Sequence, residues 1–161
     1  MASSSEEKRE EHCSPDHVEL PRFTPYRLYR LSRAVSGTLA EIFQVRFGLS
    51  VYEWRCVAVL GNYQPMSANE ICERADMDKV QVSRALAKLV ENGLVLRSTN
   101  RQDRRRSRLR LSARGKRLYQ KIVPLAKSWE AKLLAALSEE EQQQLDRIIA
   151  KLHQRVDELK H

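Results

Sequence analysis

The sequence predicts a mainly α protein with a small β-hairpin wing, a winged helix-turn-helix flanked by longer helices. Three observations predict it. Helix-capping signals open one apolar-periodic segment after another, an Asn92-Gly93 break is followed by two short apolar-polar alternations, and those alternations enclose a polar connector rich in arginine. The expected order is four helices, two strands and two helices.

From Pro21, the residues Leu28, Leu31, Val35, Leu39, Ile42 and Phe43 recur at helical spacing and predict a long amphipathic helix ending near Gly48. Ser50 with Glu53 forms a capping box ahead of a second helix, Val51 to Asn62, expected to bury Trp54, Val57, Ala58 and Leu60. Gly61 to Pro65 breaks the chain. Ser67 with Glu70 then caps a short third helix carrying Ile71, Cys72 and Ala75. After the Ala75-Asp76-Met77 turn, Asp78 with Gln81 opens a fourth helix whose core face is Val82, Ala85, Leu86, Leu89 and Val90.

Leu94 to Arg97 and Ser107 to Leu111 alternate apolar and polar residues, as two half-buried strands with a basic tip between them would. Ser112 caps a fifth helix carrying Leu118, Ile122, Leu125, Trp129, Leu133 and Leu137, with Pro124 as an expected kink. Ser138 with Glu141 caps a sixth, carrying Leu145, Ile148, Ile149, Leu152, Val156 and Leu159.

A chain of 161 residues accommodates one folding unit, or two small lobes sharing a core. The segments expected are a polar, acidic, disordered tail over 1–20, long helices over 21–48 and 113–161, and the winged helix-turn-helix over 49–112. The tail holds six acidic and two basic residues, so the +8 net charge of the whole chain understates the basicity of residues 21–161. A surface of that charge attracts polyanions. No stretch approaches the roughly 20 apolar residues of a membrane span, and the N-terminus lacks an apolar signal run. The expectation is a cytoplasmic protein with no membrane partner.

Cys13, Cys56 and Cys72 are odd in number and have no Cys-x-x-Cys spacing, which fits reduced thiols. His12, His17, His153 and His161 lie apart from them, so neither a metal nor a cofactor is expected. No Gly-rich phosphate loop, His-centred cluster or nucleophile elbow appears among the five glycines, which disfavours an enzyme.

Function concentrates on the fourth helix and the hairpin. With the apolar face turned inward, Lys79, Gln81, Ser83, Arg84 and Lys88 remain for contacts, joined by Ser67 and Asn69 at the start of the third helix. Gln81 suits the N6 and N7 of adenine and Arg84 a guanine or a phosphate, while Lys79 and Lys88 suit phosphates as point charges. Between Arg97 and Arg117 lie ten Lys or Arg residues and one acid, Asp103. Such crowding repels itself until a polyphosphate releases counterions. Arg101, Arg104, Arg105 and Arg106 would therefore meet the duplex, an arginine entering the minor groove, with Asp103 bracing Arg105 or Arg84. The same stretch has no Phe, Tyr or Trp on which single-stranded bases could stack, so double-stranded DNA is the expected partner.

Glu53-Trp54-Arg55, Val82-Ser83-Arg84, Asn92-Gly93-Leu94-Val95, Asp103-Arg104-Arg105 and Leu111-Ser112-Ala113-Arg114-Gly115 together resemble the MarR family of bacterial regulators, over about residues 23–158. Ser112 stands where that family often has Thr. The resemblance implies a homodimer in which the first, fifth and sixth helices of both subunits interlock, making 21–48 and 113–161 a dimerisation region with two reading heads for a pseudo-palindromic operator. It further implies Arg105 as the wing arginine with Asp103 its companion, Ser83 and Arg84 as groove or backbone contacts, and repression relieved by an effector.

The effector implied is a small aromatic carboxylate, a phenolic compound or an acyl thioester. Tyr26, Arg30 and Arg33 on the first helix and Arg55 on the second supply phenol and guanidinium groups suited to an aromatic acid; intersubunit ion pairing is the plainer use of them. Two other readings stand beside this one: a thiol-based, redox-responsive repressor, and a non-specific nucleic-acid-binding protein.

Overall fold

The computed structural model describes residues 18–98 and 107–160. Its elements are α1 (Thr24–Phe47), α2 (Val51–Tyr63), α3 (Ala68–Ala75), α4 (Lys79–Glu91), β1 (Val95–Ser98), β2 (Arg108–Leu111), α5 (Ala113–Leu134) and α6 (Glu139–Glu158). The order is the one the sequence predicts. Residues 1–17 of the tail expected over 1–20, and the wing tip over 99–106, lie outside the described residues. The chain divides into two compact units at Gly37, and the N-terminal one contributes the first half of α1.

Caps set most boundaries in the second unit. Ser50, Ser67 and Ser138 each accept a hydrogen bond from the backbone N–H three residues on, and Glu53, Glu70 and Glu141 each reach back to the cap N–H. Asp78 accepts from the Gln81 N–H at 2.8 Å and Ser112 from the Gly115 N–H at 2.9 Å. Gly48 (φ +67°) and Gly93 (φ +65°) follow α1 and α4 in left-handed backbone that a Cβ would strain. Asp76 takes a left-handed φ of 49° at the end of α3, and this is the sharp turn of the helix-turn-helix.

The core joins α2, α3 and α4 to the hairpin. Val57, Leu60, Ile71, Val82, Leu86, Leu89, Val95 and Leu109 are all but sealed from solvent. β1 and β2 pair antiparallel with Val95 opposite Leu111 and Arg97 opposite Leu109. Leu109 also exchanges two backbone hydrogen bonds with Met66, at 2.7 and 3.0 Å, which stitches the hairpin to the start of α3. The strands begin one residue later than the alternation predicts, because Leu94 N–H still bonds back to Leu89 O at 2.8 Å as part of the turn out of α4.

One further difference has a physical reason. Val90, expected on the core face of α4, is 39 % exposed, since one more residue beyond Leu89 turns the helix away from α2. Pro124 lies inside α5, which continues past it to Leu134.

Candidate nucleic-acid interface

The helix-turn-helix presents α4 with a sealed back and an open front. Val82, Ala85, Leu86 and Leu89 are buried, whereas Lys79, Ser83, Arg84 and Lys88 are exposed and Gln81 is half-buried. The amphipathic split follows from the helical period and puts the polar residues where a major groove can meet them. Asn69 is exposed on α3. Ser67 is half-buried, and its Oγ accepts from the Glu70 N–H at 3.3 Å to cap α3.

The front of α4 forms one wall of a cleft of about 720 Å³. Its other wall is the first turn of α2, and Tyr52, Glu53, Gln81, Arg84 and Lys88 line it. Four of these residues are joined in pairs across it. The Lys88 ammonium lies 3.6 Å from the Glu53 carboxylate, and the Gln81 side-chain amide donates to the Tyr52 hydroxyl at 3.3 Å.

A second set of contacts fixes the base of the wing. Arg108 of β2 donates to the Glu70 carboxylate at 2.8 Å and lies 3.5 Å from the Pro65 carbonyl oxygen. Hydrogen bonds from Ser67, aided by the Arg108 guanidinium, hold the Glu70 carboxyl below the usual carboxylate range. The Gln64 side chain accepts from the Leu111 N–H at 2.7 Å, and Arg114 donates to the Asn92 carbonyl at 3.2 Å. The strands carrying the arginine-rich connector are thereby anchored to both helices of the motif. Arg101, Asp103, Arg104, Arg105 and Arg106, and with them the brace assigned to Asp103, lie outside the described residues.

The residues predicted for an effector fall in two places. Tyr26, Arg30 and Arg33 share one stripe of α1 in the N-terminal unit, with the Tyr26 and Tyr29 rings 6.5 Å apart, while Arg55 is half-buried on α2 in the second unit. Of the cysteines, Cys56 is buried, and desolvation, then Cys72 and Glu53, push its thiol up to about 12. A thiol held protonated in this way is a poor nucleophile toward peroxide at neutral pH. Among the described residues no cluster of His, Cys, Asp or Glu could hold a metal ion, and no helix is long and apolar enough to cross a membrane.

Sequence reasoning missed Tyr52, Glu70 and Arg108 as parts of this surface. Glu70 was legible only as a cap, and Tyr52 gave no signal, because its partner is 29 residues away.

A capped helix-turn-helix with a polar reading face and an anchored hairpin defines a winged helix-turn-helix DNA-binding protein. The MarR family model matches residues 47–106, the segment that holds the helix-turn-helix and the first strand of the hairpin. The HTH-type transcriptional regulator BilQ of Clostridium symbiosum is 29 % identical over 105 residues, covering 65 % of this chain and 73 % of that protein. An HTH-type transcriptional repressor of Mycobacterium bovis is 27 % identical over 131 residues, covering 79 % and 91 %. A MarR/EmrR-family regulator from Acinetobacter sp. ADP1 superposes with a TM-score of 0.79 at 26 % identity, over 88 % of this chain and 99 % of that one. The Staphylococcus aureus MepR–DNA complex shares the fold, with a TM-score of 0.76 at 23 % identity over 83 % and 99 %. Over its helix-turn-helix and much of the rest of its length, the chain is thus similar to transcriptional regulators of the MarR family.

Proposed function

We propose that this protein is a homodimeric repressor that reads a pseudo-palindromic operator in double-stranded DNA and releases it when a small aromatic acid or its thioester binds. The observation that carries the reading is the front of α4, where Lys79, Ser83 and Arg84 stand exposed over a buried apolar back. Those side chains supply the donors that phosphates and the edge of guanine accept. Ser67, Asn69, Gln81 and Lys88 extend the same surface, and Arg101, Arg104, Arg105 and Arg106 of the connector add charge for the backbone, with Asp103 orienting one guanidinium. The protein acts in the cytoplasm, as two reading heads on a helical dimerisation region over 21–48 and 113–161.

Tyr26, Arg30, Arg33 and Arg55 are the groups proposed to receive the effector, the guanidinium groups pairing with its carboxylate and the phenol with its ring. The Cys56 environment weighs against a thiol switch at that position.

Selection from a random duplex library at about 0.15 M salt tests the DNA reading, since weak surface attraction is largely screened there. A two-fold-symmetric site with half-sites about 34–36 Å apart is the expected result. Recovery of no sequence would reduce the protein to a non-specific binder. Calorimetry against benzoates, cinnamates and their thioesters tests the effector, and silence across all of them removes that part of the proposal.

A further inference from the structure

Gln81 occupies the third position of α4 after its cap, Asp78. At the equivalent position of α2, α3 and α6, Glu53, Glu70 and Glu141 turn back to the cap N–H at 2.9, 2.6 and 2.8 Å. Gln81 instead carries its amide across the cleft, where Nε2 donates to the Tyr52 hydroxyl at 3.3 Å. A residue type suited to closing a capping box is thus turned toward the first turn of α2.

The contact has consequences for chemistry at the groove. A glutamine reads adenine only when its amide is oriented, donating from Nε2 to N7 and accepting at Oε1 from N6. A free amide rotates about its last torsion and presents either edge. The Tyr52 hydroxyl, by accepting one Nε2 proton, selects one of the two orientations and leaves Oε1 and the second Nε2 proton for a base. The phenol keeps its own proton to donate elsewhere.

Packing between α2 and α4 does not require this bond. Cys56, Val57 and Leu60 on α2 are buried in the same core as Val82, Ala85 and Leu89 on α4, and Glu53 already reaches Lys88. Tyr52 is 39 % exposed and shares its cleft with Arg84. We propose that Tyr52 is a positioning residue for base readout: its hydroxyl orients the Gln81 amide and donates its remaining proton to a DNA phosphate, so that backbone contact and base choice are coupled through one hydrogen bond. This role rests on the proposed DNA reading and extends it to a residue of α2.

Three variants of the full chain test it: Tyr52→Phe, Gln81→Ala, and the two combined, each titrated against the operator selected by the wild type and against single-base-pair changes of it. Tyr52→Phe is expected to lower discrimination about fivefold or more at one base pair in each half-site, a sizeable share of what a bidentate contact contributes. Gln81→Ala is expected to abolish the preference at that same base pair, and adding Tyr52→Phe to it to change discrimination no further. In the DNA-free protein, the Gln81 side-chain amide resonances should shift in Tyr52→Phe while the unfolding midpoint stays within error. Unchanged discrimination at every position, a loss spread evenly over all positions, or unmoved Gln81 resonances would each overturn the proposal. A wild type that selects no operator removes the reading beneath it, and the amide resonances distinguish the two failures, because they report the Tyr52–Gln81 bond without DNA.

Discussion

The Lys88 ammonium on the reading helix lies 3.6 Å from Glu53 Oε1, while Oε2 of the same carboxylate accepts from the Ser50 N–H at 2.9 Å. One side chain, almost wholly buried, therefore fixes the start of α2 and faces α4. Removing it leaves a cap N–H unpaired and a hole at the joint of two core helices. Glu53→Ala should lower the unfolding free energy by about 1–2 kcal/mol in urea. Lys88→Gln should cost less than about 1 kcal/mol, since that ammonium is largely in water. Glu141→Ala, which breaks the same motif on exposed α6, is the internal control. An equal loss at Glu53 and Glu141 would contradict the role given to burial.

Gly115 sits where α5 leaves the hairpin, and a Cβ there would run into the carbonyl oxygen of Leu94. The obstacle is backbone, held in place by the Ser112 N–H, which bonds that same oxygen at 2.9 Å, and by the Ser112 hydroxyl on the Gly93 carbonyl at 2.7 Å. Gly115→Ala should destabilise by about 1–3 kcal/mol despite alanine's better helix propensity, because neither side can yield cheaply. The contrast is Gly61, whose missing Cβ would meet first the ring of Tyr119, a side chain tethered through its hydroxyl to Asn62 at 2.7 Å. There the cost of Gly61→Ala should shrink when Tyr119→Ala is added, and thermal unfolding of the single and double variants reads the difference.

Glu70 links the reading head to pH. Its folded pKa is depressed, so the stability it contributes is fully present above the ordinary carboxylate range and is lost as pH falls through the lower folded value. Hydrogen bonds from Ser67 are the larger cause and Arg108 the smaller. An NMR titration of the Glu70 carboxyl should therefore give a midpoint below the usual range that rises only partly in Arg108→Gln. A midpoint fully restored by Arg108→Gln would reverse that order of causes.

Legibility in the sequence divides by range. Every helix start in the second unit could be read from it, because Ser50, Ser67, Asp78, Ser112 and Ser138 act on backbone three residues away, and local hydrogen bonds leave local signatures. The open face of α4 was also legible from its helical period. The partners Tyr52–Gln81, Glu53–Lys88 and Glu70–Arg108 were not, being 29, 35 and 38 residues apart along the chain. Only the fold brings such pairs together. Arg108, one of ten cations in its stretch, could not be told from its neighbours by type, and its carboxylate partner and alternating strand register separate it from them.

α6 has no buried residue, yet Ile148, Ile149, Leu152 and Val156 on it and Leu159 at its C-cap continue one helical spacing and are 42–69 % exposed. Each such side chain gains about 1.5–3 kcal/mol on full burial, so a stripe of them in water is costly to leave uncovered. Under the proposed dimer a second copy covers it. Leu152→Glu with Val156→Glu should then convert the protein from dimer to monomer in sedimentation velocity, where charge on a free monomer surface would change stability by no more than about 0.5 kcal/mol. The same variant should keep only weak, strongly salt-dependent attachment to operator DNA, because two reading heads on one two-fold axis are what make the half-sites act together. A wild type that sediments as a monomer at micromolar concentration would remove the proposed dimer, and a double variant that remains dimeric would place its surface elsewhere than α6.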